Sequence, residues 1–286
     1  MNIARYWAKG TYQASDGGQF ETWGWSDESV EEAQARASRR AEEISKRFSR
    51  GEELERYSYG NQNRPLREEL LEVVAGPIEA PTAVITRNAY GCRILNTSDV
   101  MFIDVDFPQP GSFSQLRRTF QRWIGKAKNS LREEMEQNAI AQAEKLIQAD
   151  PSCGIRVYRT YSGLRYLLTH STFQPSSDGT AQLMDFVGAD PLYQRLCRTQ
   201  NSFRARLTPK PWRCMQSNPP NRFPWPDEKA EAMFRKWEMK YEKRAQSWAT
   251  CEWVQTLGST TIAPAVAPIV QFHDRETQFD SDLMLA

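Results

Sequence analysis

The residues best suited to chemistry in this chain are two aspartates, Asp104 and Asp106. They end the apolar run Val100-Met101-Phe102-Ile103-Asp104-Val105-Asp106-Phe107. In a strand, side chains alternate between faces, so Met101, Ile103, Val105 and Phe107 share one side while Phe102, Asp104 and Asp106 share the other. Two carboxylates held this close repel, and each raises the pKa of its neighbour unless a cation lies between them. Such a pair suits Mg²⁺ or Mn²⁺, hard ions that prefer oxygen ligands. A pair of solvated or arginine-paired carboxylates at a strand end would look the same in sequence.

The rest of the chain narrows the chemistry. Its 286 residues, with 37 Lys+Arg against 36 Asp+Glu, carry a formal net charge of +1, so any phosphate-binding surface must be local. There are only two histidines, His170 and His273, and no G-x-S-x-G, P-loop or dinucleotide glycine fingerprint. Five cysteines, odd in number and without a C-x-x-C pair, read as reduced thiols. No apolar run approaches a membrane span and the N-terminus lacks a signal-peptide core, so the expectation is a cytoplasmic protein without a membrane partner.

The elements that must position the aspartates fall into three regions. Residues 1–82 read as an accessory layer: a hairpin around Ser15-Asp16-Gly17-Gly18, a helix capped at Ser29-Val30-Glu31-Glu32 that stops at Gly51, then a linker with a short helix near Glu68–Val74. Residues 83–213 carry strands at Ala83–Thr86 and Arg93–Asn96 and then the D-x-D strand. A helical stretch follows, marked by Leu116, Phe120, Trp123 and Ile124 and then by Leu131, Met135, Ile140, Ala143 and Ile147. Strands Ile155–Thr160 and Leu164–His170 flank a turn at Ser162-Gly163. A helix from about 182 to 201, broken at Gly188-Ala189-Asp190-Pro191, leads to the strand Phe203–Leu207. Residues 214–286 add a Pro-rich loop, a helix over 227–248 with the stripe Ala230, Phe234, Trp237, Tyr241, Ala245 and Trp248, and a β-rich tail at Ile269–Phe272.

The order β-α-β-β-α-β predicts an α+β protein with a ferredoxin-like, RRM-like core, carrying the N-terminal hairpin-helix and C-terminal helical additions. In that arrangement one sheet face is open, the D-x-D strand lies centrally, and Thr160 pairs with Arg165, Tyr158 with Leu167 and Arg156 with Thr169. Asp104 and Asp106 would then be flanked by Arg165 on one side and by Arg204 and Arg206 on the other. Carboxylates for a divalent ion beside arginines for phosphate oxygens are what phosphoryl or nucleotidyl transfer requires. Lys210 and Arg213 would extend the basic edge, and Trp212 could stack on a base.

The Ile103-Asp104-Val105-Asp106 strand followed by a strand ending in His170 resembles the archaeo-eukaryotic primase and primase-polymerase superfamily over about residues 83–210. That family carries hydrophobic-D-hydrophobic-D, a small-x-His element and a later acid. Leu168-Thr169-His170 stands in the second place, with leucine where the family has a small residue, and Asp185 is a candidate for the third. The resemblance implies a nucleotidyltransferase with Asp104 and Asp106 as catalytic metal ligands. Its cofactor would be Mg²⁺ or Mn²⁺, with Arg165, Arg204, Arg206, Lys210 and His170 toward the substrate. The partners implied are a nucleoside triphosphate and DNA or RNA. Two alternatives stand beside it: a non-catalytic RNA- or DNA-binding module that uses the sheet and Tyr158, and a nucleotide-sugar glycosyltransferase using D-x-D.

Overall fold

The computed structural model describes residues 1–52, 64–107 and 125–286, the backbone alone for 125–130. The helical pattern expected at Leu116, Phe120, Trp123 and Ile124 lies outside these residues.

Strands β1 (Tyr6–Gln13) and β2 (Gln19–Ser26) form an antiparallel hairpin under helix α1 (Val30–Ser49). Ser29 caps the helix by accepting from the Glu32 amide at 3.1 Å, while the Glu32 carboxylate turns to the Ser26 hydroxyl and to Arg36. Helix and hairpin touch backbone to backbone. A Cβ on Gly24 would stand 2.1 Å from the Ala33 carbonyl oxygen, and Ala33, Ala37 and Ala41 supply the small, buried face that allows the approach.

Two four-stranded antiparallel sheets follow, and the chain is a mixed α/β protein with six helices among the described residues. One sheet has the order β3 (Glu69–Ala75), β4 (Ala83–Arg87), β5 (Arg93–Thr97), β9 (Phe203–Arg206). The short helix expected near Glu68–Val74 is therefore the edge strand β3. The other has the order β10 (Cys251–Gly258), β7 (Gly154–Thr160), β8 (Gly163–Leu168), β6 (Phe102–Asp106). Helix α2 (Gly125–Ala149) links β6 to β7; α3 (Asp178–Phe186) and α4 (Pro191–Gln200) link β8 to β9. The expected break at Gly188–Pro191 separates the last two, and Asp190 caps α4.

The order β7-β8-β6 is that of a ferredoxin-like core, but its fourth strand does not complete the ladder. Carbonyls of Phe102 and Asp104 on the free edge of β6 are taken instead by the start of α4: the Tyr193 hydroxyl lies 2.7 Å from Phe102 O and the Asp190 amide donates to Asp104 O at 3.1 Å. β9 lies alongside, with its Arg204 carbonyl 3.1 Å from the same Tyr193 hydroxyl, and pairs with β5. An expected continuous sheet is thus two sheets meeting at a tyrosine-bridged seam.

Register differs by two residues from expectation. Tyr158 pairs with Arg165 and Arg156 with Leu167, because the hairpin turns at Tyr161-Ser162 and not at Ser162-Gly163. A two-residue slip keeps each side chain on its face, so the assignment of faces survives. Gly163 is required where it stands: opposite Asp106, a Cβ would sit 2.0 Å from the Val105 carbonyl oxygen.

Arg159, on the face with Ile155 and Val157, reaches Glu136 of α2. The other face, expected to be open, is covered by α6 (Ala267–Thr277), where a β-rich tail was expected. Pro268 in its first turn and buried Ile269, Val270, His273 and Thr277 give it a helical stripe. His273 packs on Phe102 and Tyr158, and Asp274 pairs with Arg156 and the Tyr158 hydroxyl. Helix α5 (Glu228–Ala245) buries Phe234, Trp237, Tyr241 and Ala245 of its expected stripe. No described helix is long and apolar enough to cross a membrane.

Candidate functional site

Asp104 faces its ladder partner Arg165, whose guanidinium forks onto both carboxylate oxygens at 2.8 and 3.2 Å. Arg165 is fully buried, and its remaining nitrogen donates to the Arg206 carbonyl at 3.0 Å and lies 3.4 Å from His273 Nε2. Burial works against its charge, but the Asp104 carboxylate more than restores it, so the guanidinium is held firmly protonated. Arg165 is thus occupied with positioning Asp104. The carboxylate itself remains 31% exposed.

Asp106 ends the strand in solvent, opposite Gly163 at the hairpin tip. Its pKa is raised, first by partial burial and then by the charges of Asp104 and Asp190. Asp190 is the acid that the sequence reading missed. Its backbone amide is tied to the Asp104 carbonyl and its side chain accepts from the Tyr193 amide at 2.7 Å. The Asp-Pro pair at a helix start is the signal that marks it as an N-cap, yet nothing local shows which strand that cap meets. Asp185, the candidate third acid, is an exposed residue of α3 that holds the Gln194 amide.

A basic group faces these acids from β9 and the segment after it. Tyr241 of α5 anchors that segment by bonding the Pro209 carbonyl at 2.6 Å, and a short 3₁₀ turn over Pro211–Arg213 closes it. Arg206, Lys210 and Arg213 converge there. Lys210 and Arg213 both have lowered pKa values, through burial and then the charge of neighbouring Arg206. Nε of Arg206 and Nη1 of Arg213 are buried without a hydrogen-bond partner among the described residues.

Between Asp106 and Arg213 lies a cavity of about 370 Å³, lined also by Phe107, Tyr161, Ser162 and Trp212. Arg213 spans it, donating to the Ser162 hydroxyl at 2.7 Å and lying 4.0 Å over the Tyr161 ring.

Other expected site residues lie elsewhere. Arg204 is buried and saturated, forking onto Glu68 and bonding Asn96 at 2.6 Å, so its charge is spent inside the β9 sheet. His170 follows β8 at the end opposite Asp106. It sits seven residues past Gly163, ~23 Å at the usual strand rise, where its Nδ1 accepts from the Gly154 amide. Tyr158 is wholly buried under α6 and offers no ring to a base. Among the described residues no three His, Cys, Asp or Glu side chains gather closely enough to hold a metal by themselves. A divalent ion there would draw on Asp106, the outward lone pairs of Asp104 and oxygens brought by a substrate. That donor set fits Mg²⁺, which keeps several waters and takes one or two carboxylates. Comparison of the chain with protein-family models, with curated proteins and with solved structures gave no match.

Proposed function

We propose that this protein carries out metal-dependent phosphoryl or nucleotidyl transfer of a primase-like kind, at the rim where β6 meets the β9 segment. One observation carries the reading. Asp106, with its pKa raised by burial and by the Asp104 and Asp190 charges, stands across a cavity from Arg213, which is crowded by Arg206 beside Lys210, and these opposite charges relieve one another only in part. A phosphate chain with a divalent ion would neutralise both sets at once. Asp106 would take the ion together with Asp104, which the buried Arg165 holds in a single orientation. Arg206, Lys210 and Arg213 would bind phosphate oxygens, and their preset positions would stabilise charge that builds on them during transfer. When bound, Mg²⁺ or Mn²⁺ supplies a Lewis acid for the phosphoryl oxygens.

The test is calorimetric titration of Mn²⁺ with ATP or GTP into the wild-type chain and into Asp106→Asn. Metal-dependent nucleotide binding in the wild type, lost in Asp106→Asn, is the expected result. Lys210→Gln should weaken the nucleotide while leaving its metal dependence. Absence of metal-dependent nucleotide binding in the wild type would remove the reading.

A further inference from the structure

The basic rim continues outward as a row of exposed rings. Trp212 is 49% exposed, Tyr161 46% and Tyr90 43%, and none belongs to the buried core clusters. They are contiguous: Tyr90 meets Trp212 edge-on with centroids 5.2 Å apart, while Trp212 and Tyr161 form two walls of the cavity beside Asp106. Cations alternate with them, Lys210 lying 5.6 Å from the Trp212 centroid and Arg213 4.0 Å from that of Tyr161. Large rings left in water singly need no explanation, but three in a row with guanidinium and ammonium groups between them do.

We propose that Tyr90, Trp212 and Tyr161 form a stacking platform for a single-stranded polynucleotide, whose backbone follows Lys210 and Arg213 toward the transfer site. The inference rests on the phosphate-handling reading of that site and names the polymer that runs into it. Stacking needs bases whose faces are free, which excludes a closed duplex. The rings would read a π-face and not a base edge, so the platform should tolerate any sequence. Asp106, on the cavity wall, keeps backbone phosphates off that side and leaves them to the cations. With a net charge of only +1 for the whole chain, affinity must come from this patch, so it should fall with few released counterions as salt rises.

Fluorescence anisotropy of a labelled twelve-residue oligo-dT with the full chain, at low salt and without metal, tests it. Binding is expected, with roughly tenfold weakening in Trp212→Ala and a similar loss in Tyr161→Ala, as stacking on a single ring predicts. A duplex of the same length should compete poorly. Both positions are half exposed, so thermal melts of the variants should match the wild type, and Trp212→Glu gives a second, charge-based probe of the same ring. Wild-type affinity in both alanine variants, or no binding by the wild type, overturns the proposal. So does a concentration-dependent dimer, seen by sedimentation, that Trp212→Glu dissolves, because the rings would then cover a second copy. Titration of Mn²⁺ with ATP into Trp212→Ala separates the two ideas. Nucleotide binding without oligonucleotide binding removes the platform alone, and oligonucleotide binding without nucleotide binding removes the transfer reading alone.

Discussion

Arg165 and Asp104 are cross-strand partners in which a wholly buried guanidinium forks onto a carboxylate that reaches the surface. Removing the acid would strand a buried charge, whereas replacing both partners would not. Asp104→Asn should cost about 3 kcal/mol, and Arg165→Met with Asp104→Leu should recover much of it, read as shifts in urea midpoint. The same consideration makes Asp106→Asn the cleaner probe of metal binding, since Asp106 is exposed and pairs with no buried group among the described residues.

His273 lies buried between Arg165 and Asp274, packed at an angle against the Phe102 and Tyr158 rings. Burial, with the Arg165 charge adding to it and Asp274 opposing, lowers its pKa to about 4. The neutral ring accepts from Arg165 at Nε2 and donates from Nδ1 to Asp274. Its folded pKa is below the unfolded value of about 6.5, so the unfolded chain binds the proton more readily. Stability from this group is complete above pH 6.5 and is lost as pH falls toward 4, by up to about 3 kcal/mol. Denaturant titrations at pH 7 and pH 4.5 should show that loss in the wild type and a smaller one in His273→Gln.

Tyr193 joins the two sheets with one hydroxyl, between the Phe102 and Arg204 carbonyls. The single hydroxyl proton goes to the nearer Phe102 carbonyl and the oxygen accepts from the Arg204 amide, so Tyr193→Phe leaves a carbonyl without its donor at a buried seam and should cost about 1–2 kcal/mol. Amide exchange should quicken selectively in β6 and β9. Equal exchange across all strands would mean that the hydroxyl does not hold the seam.

Glu68 and Arg204 form a buried pair completed by Asn96 and Thr86. Glu68→Ala should destabilise by about 3 kcal/mol, because Arg204 is left charged and dry. Lys210→Gln, which breaks no ion pair seen among the described residues, should leave the melting temperature unchanged within about 1 °C, on the scale of a surface substitution.

The D-x-D strand, the β8 hairpin, the two helices split at Gly188–Pro191 and the apolar stripe of α5 were legible from alternation, turn residues and 3.6-residue spacing. That Arg165 would flank the aspartates on a shared face followed from strand order and alternation, and the structure makes it the ladder partner of Asp104. The shared face survived a two-residue error in the neighbouring turn because parity, and not register, decides the face. Ile269–Phe272 was misread because a short β-branched run suits a strand as well as a buried helix, and only a partner surface decides between them.

What the sequence by itself determined is local: which residues share a face, where helices start and stop, and that two carboxylates must stand side by side on a strand end. Tertiary structure alone decided that α6 would seal the face expected to be open, turning Arg165, Tyr158 and His273 into a buried support for Asp104. It decided as well that Asp190 would reach the acids and that Arg206, Lys210 and Arg213 would crowd together beyond them. Periodicity along one segment carries no record of which distant segment packs against it. Burial and electrostatic crowding, which set the chemistry of this site, arise only from that packing.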